Sequence, residues 1–128
     1  MAIDKSRYIN KFADEGLENI ATVETLLFEI KEGGSIQDDL VTLMRALHTL
    51  KGSARMLDFK EIEALTHSLE TVFSALKEER IFLNDKALGL LLSALEEVKK
   101  GINQVKTGEK EDIRRELYEK EQIGRAHV

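Results

Sequence analysis

The chain contains no cysteine, no proline and no tryptophan. Without cysteine there is no disulfide framework and no thiolate zinc site. Without proline nothing forbids long uninterrupted helices, and two tyrosines and five phenylalanines give a strand-rich fold little of its usual material. Long hydrophobic runs are missing as well. No stretch reaches the roughly 18 apolar residues that suggest a bilayer span, and the opening Met1-Ala2-Ile3-Asp4 lacks a signal-peptide layout. A cytoplasmic protein with no membrane span is the expectation. Excess positive charge is absent too: a formal net charge of −5 argues against bulk nucleic-acid binding, which depends on phosphate neutralisation by lysine and arginine.

What is present suits one helical domain. The chain has 128 residues, 42% of them hydrophobic and 34% charged, enough for a real core beneath a charged surface. Four segments carry apolar residues at three- and four-residue spacing. The first runs from about Lys5 to Lys31, with Ile9, Phe12, Ala13, Leu17, Ile20, Val23, Leu27 and Ile30 at that spacing. Asp4 is its expected N-cap and Gly33-Gly34 its stop. The second opens at Ser35-Ile36-Gln37-Asp38, a variant of the capping box, and its stripe is Ile36, Leu40, Leu43, Leu47, Leu50, Ala54 and Leu57. The third follows Asp58, where Asp58 and Glu61 repeat the cap-like spacing, and carries Ile62, Leu65, Leu69, Val72, Phe73 and Leu76. The fourth starts at Asn84-Asp85, carries Leu88, Leu91, Leu92, Leu95, Val98, Ile102 and Val105, and stops at Gly108. Short links between long amphipathic helices predict an all-α, antiparallel up-down-up-down four-helix bundle.

The expected organisation is a bundle over residues 1–107 and a C-terminal helix or linker over 108–122, since Ile113 and Leu117 keep a weak helical pattern. Residues 123–128, Ile-Gly-Arg-Ala-His-Val, read as a non-native tail resembling a translated sequencing adapter, with the native chain running on past Gln122. His127 is therefore set aside, which leaves His48 and His67.

His48 lies about 100° around its helix from Leu47, so it borders the core stripe without being its centre. Gly52 lies about 40° from it, Arg55 about 20°, and Arg45 and Lys51 about 60°. A histidine nucleophile must offer one neutral ring nitrogen to an incoming phosphoryl group. Cations nearby, Lys51 first and Arg45 or Arg55 second, offset the charge that then arrives. A helical glycine costs about 1 kcal/mol relative to alanine, so Gly52 beside the histidine calls for a cause. Close approach of another protein's loops is that cause. On the third helix His67 and Glu70 stand one turn apart, and a carboxylate there is placed to accept a hydrogen bond from one ring nitrogen of His48, fixing its tautomer.

The string His48-Thr49-Leu50-Lys51-Gly52-Ser53-Ala54, followed by Phe59 and by Thr66-His67-Ser68-Leu69-Glu70, resembles histidine phosphotransfer (HPt) domains, above all the N-terminal domain of CheA-type chemotaxis kinases. The likeness covers roughly Asp4 to Lys106. It implies that His48 is phosphorylated on Nε2, that Glu70 bonds Nδ1, and that Lys51 and His67 belong to the surrounding polar network. It further implies a phosphorelay between a histidine kinase ATP-binding domain, in the same chain or another, and a response-regulator receiver domain. No cofactor is expected in this domain, ATP and Mg²⁺ being supplied by the partners. One departure is visible: such domains often have glycine where Asp58 stands.

Two other readings compete. Di-iron bundles use Glu-x-x-His pairs on facing helices, whereas Glu63 and His67 are four residues apart and form a single pair. A non-phosphorylated interaction bundle would leave Lys51-Gly52 unexplained. Stand-alone catalysis is not expected, because the eight glycines form no phosphate-cradling loop and no Mg²⁺-binding acidic motif occurs.

Overall fold

The computed structural model describes residues 5–33, 36–80 and 82–114. Four helices run in chain order, α1 Lys5–Lys31, α2 Ile36–Met56, α3 Lys60–Lys77 and α4 Asp85–Lys106, and no strand occurs among the described residues. Each helix packs on its neighbours in the chain, and α4 closes the ring against α1. Ion pairs across the α1/α4 seam join Lys106 to Asp14, Lys99 to Glu24 and Asp85 to Lys31. Positions rise along one helix as they fall along the other, so these two helices are antiparallel. The α2/α3 pairs Lys51–Glu70 and Arg55–Glu63 run in the same opposed sense.

The core is the sum of the four stripes. Phe12, Ile20, Val23 and Leu27 of α1 meet Leu40, Leu43, Leu47 and Leu50 of α2, Ile62, Leu65, Leu69 and Phe73 of α3, and Leu91, Leu95, Val98 and Ile102 of α4 in one buried cluster. Thr66 is the one buried polar residue among the described residues, and its hydroxyl donates to the Ile62 carbonyl at 2.7 Å. Gly16 belongs to the core as well, because an added Cβ would sit 3.1 Å from Ile102 and 3.2 Å from Leu50.

Helix ends follow local chemistry, with one reassignment. Asp58 does not cap α3. The N-cap position is Phe59, which makes no side-chain capping bond. Asp58 instead closes α2: its φ is 63°, its N–H reaches the Arg55 carbonyl at 3.1 Å, and the Phe59 N–H reaches the Ala54 carbonyl at 2.9 Å. That is a Schellman stop in which aspartate fills the left-handed position that favours glycine. Asn84, where the fourth segment was expected to start, caps α4, its side chain accepting from the Ala87 N–H at 2.7 Å.

The C-terminal segment, expected as a helix or a linker, is non-helical where it is described. Gly108, with φ of 84°, ends α4, and residues 109–114 are not helical. They form a strap across the end of the bundle. Ile113 is buried, Gln104 of α4 bonds both the N–H and the carbonyl of Asp112, and the Arg114 N–H donates to Glu97. Side chains of α4 thus occupy backbone groups that a helix would have used internally. The remainder of the expected segment, the 123–128 tail, and the N-cap positions Asp4 and Ser35 lie outside the described residues. No helix among the described residues is long and apolar enough to cross a membrane.

Candidate functional site

Leu43, Leu47, Leu50 and Ala54 turn one face of α2 inward, which fixes what the opposite edge presents. His48 emerges at that edge with its side chain 75% exposed. Across the α2/α3 seam stands Glu70, held upright by the burial of Leu69, Val72 and Phe73 beside it. Its side chain is only 15% exposed, and its carboxylate serves two partners. Oε1 lies 3.2 Å from His48 Nδ1, and Oε2 accepts from Lys51 Nζ at 2.7 Å.

The tautomer follows from these contacts. A carboxylate only accepts hydrogen bonds, so Nδ1 must be the donor and carry the ring proton. In the neutral imidazole Nε2 then keeps its lone pair, on a ring that is mostly open to the outside. The arrangement fixes the orientation of the ring and leaves Nε2 reachable from outside.

The other sequence-derived residues are distributed unevenly. Lys51 is present, but its ammonium is already committed to Glu70 and its side chain is only 21% exposed. Its immediate contact is therefore the orienting carboxylate. Gly52 is exposed one turn beyond His48, and an added Cβ would meet nothing within 4 Å. His67 is exposed on α3, and its imidazole makes no hydrogen bond or ion pair among the described residues. Arg55 is 80% exposed and 3.8 Å from Glu63, while Arg45 is exposed on the same helix. The double use of Glu70 was not anticipated; the three-residue spacing of His48 and Lys51 on one helix is the signal that would have suggested it. Among the described residues no group of three or more His, Cys, Asp or Glu is placed to hold a metal ion.

Comparison with known proteins gives the family and the fold. A family model described as Hpt domain matches residues 7–107. The chemotaxis protein CheA of Borreliella burgdorferi is 29% identical over 97 residues, which is 76% of this chain and 11% of that protein. CheA of Klebsiella aerogenes is 27% identical over 112 residues, 88% of this chain and 17% of that protein. The chain thus spans only a small part of these curated relatives. Among solved structures, the phosphorylated P1 domain of CheA3 in complex with CheY6 from R. sphaeroides has the same fold, with a TM-score of 0.79, 19% identity, and coverage of 94% of this chain and 98% of that one.

Proposed function

The chain belongs to the Hpt domain family, and from that premise we infer that His48 takes up a phosphoryl group and passes it to an aspartate on a response-regulator receiver. The observation that carries this reading is the exposed His48 ring with Nδ1 held by the half-buried Glu70 carboxylate. Nε2 attacks the γ-phosphorus of ATP presented by a kinase domain. An N–P bond forms, the bond to the ADP oxygen breaks, and ADP leaves. The proton stays on Nδ1 throughout, so the phosphorylated ring bears positive charge, which the Glu70 carboxylate offsets. In the second step a receiver carboxylate oxygen attacks phosphorus, and the N–P electrons return to Nε2.

Neither step requires catalytic machinery in this domain. Partner domains supply ATP, Mg²⁺ and most of the transition-state stabilisation, and this domain supplies an oriented and accessible nitrogen. The two CheA relatives suggest a chemotaxis-type histidine kinase as the whole protein, working in the cytoplasm. Val41 and Met56 are 40% and 87% exposed and flank His48 along α2, offering apolar contact to a docking partner on either side of the reactive ring.

The test is direct. Incubation with a CheA kinase core, ATP and Mg²⁺ is expected to label the domain with an acid-labile, base-stable phosphate. His48→Gln is expected to abolish the label while helical content and melting temperature persist. Label retained in His48→Gln would reject His48 as the carrier.

A further inference from the structure

The N-terminus of α3 is capped from fifty residues away. Because Phe59 makes no capping bond, the first-turn N–H groups of α3 need an acceptor from elsewhere. Glu111, in the strap, provides it. Its Oε1 accepts from the Glu61 N–H at 3.0 Å and its Oε2 from the Ile62 N–H at 2.9 Å, placing negative charge at the positive end of the helix dipole.

The strap is held on its other side by α4. Gln104 bonds Asp112 at both backbone groups and Glu97 takes the Arg114 N–H. Ile113 packs into the space left by Gly101, where an added Cβ would lie 3.1 Å from Ile113 and 3.0 Å from Ile62. The start of α3 is thereby tied to α4, and the α2–α3 turn ties it to α2. Eight residues further along the same helix, about 12 Å at helical rise, stands Glu70, whose 3.2 Å contact to His48 has little slack for a shift of α3.

We propose that Glu111 is a positioning residue for the His48 site, fixing the axial register of α3 so that Glu70 meets Nδ1. The inference rests on the relay reading and extends the working unit past residue 107, where the family match ends, to the strap. Glu111 touches neither the phosphoryl group nor His48; it acts through α3.

The experiment uses the full chain labelled with ¹⁵N, comparing wild type with Glu111→Ala, Glu111→Gln and the exposed neighbour Lys110→Ala. Three quantities are read: amide exchange at Glu61 and Ile62, the ¹⁵N shifts of the His48 ring that report its tautomer, and the rate of labelling by a CheA kinase core with ATP. In Glu111→Ala the two amides are expected to exchange about fivefold faster, the typical effect of losing a helix cap. The His48 shifts are expected to move from a single Nδ1–H tautomer towards a mixture, with slower labelling. Glu111→Gln, which keeps one acceptor oxygen, should fall between, and Lys110→Ala should match wild type. Faster exchange with unchanged His48 shifts in both Glu111 variants would reduce Glu111 to a structural cap and overturn the proposal. Unchanged exchange would overturn it too. If wild type itself takes no label, the relay reading fails separately, and the ring shifts alone decide the coupling.

Discussion

Gly52 and Gly89 both lie inside helices, both are exposed, and an added Cβ would meet nothing within 4 Å at either position. Replacing either with alanine removes backbone freedom from the unfolded chain without a clash. Each substitution is expected to raise stability by about 0.5–1 kcal/mol, read from denaturant midpoints. Only Gly52 sits one turn from His48. Gly52→Ala is therefore expected to slow phosphoryl transfer while stabilising the fold, and Gly89→Ala to stabilise without slowing it. Equal transfer rates in both variants would remove partner approach as the reason for Gly52. The pair also shows what was legible at this scale. A helical glycine is no mark of a site by itself, since Gly89 is equally open and nothing in the structure explains it. Gly52 gained meaning from His48 and Lys51 on the same helical edge. The dual role of Glu70 was harder to read: the spacing of His48 and Lys51 hints at a shared partner, but which carboxylate fills that place depends on the register of two helices.

The four helices were readable from apolar periodicity because each buries a single stripe, and the observed bounds of α1 coincide with the predicted Lys5–Lys31. Their ends were less readable. Asp58 has the chemistry of both an N-cap and a left-handed stop, and sequence spacing favoured the first whereas the Schellman bonds select the second. The strap was left open between helix and linker for a related reason: Ile113 has helical spacing to Leu117, yet it is buried from a non-helical stretch whose backbone groups are taken by α4. Gly101 is the element-scale test of that packing. Alanine there would gain about 1 kcal/mol of helix propensity, yet its Cβ would press on Ile62 and Ile113 together, and overpacking at a buried contact costs about 1–3 kcal/mol. Gly101→Ala is expected to lower stability by up to about 2 kcal/mol net and to raise amide exchange selectively in residues 109–114. A stabilised variant with unchanged exchange would show that the strap yields freely and is not clamped.

Closing the ring of helices brings α4, the last in sequence, against α1, the first, and this seam carries three ion pairs spaced along its length. The middle one is the most protected. Lys99 is 30% exposed and reaches both Glu24 of α1 and Glu96 of its own helix at 2.9 Å. The hydrogen bond to Glu96 and then that to Glu24 hold its ammonium above the ordinary lysine value of 10.5, against the opposing effect of partial burial. A group whose folded-state pKa is raised binds its proton more tightly in the native state. Its contribution is therefore complete below the ordinary value and is lost as pH climbs through the raised one. Lys99→Met keeps most of the aliphatic stem and removes the charge, so it is expected to lower stability by about 0.5–1 kcal/mol at pH 7, in the range of partly exposed pairs. From pH 7 to pH 9 that deficit should stay level, and above pH 10.5 it should shrink as wild-type Lys99 loses its proton. Parallel denaturant titrations of both proteins at neutral and alkaline pH measure it. A deficit that persists undiminished at alkaline pH would assign the seam's stability to the packing of the lysine stem, and the ion pairs would then serve only to set the register in which α4 meets α1.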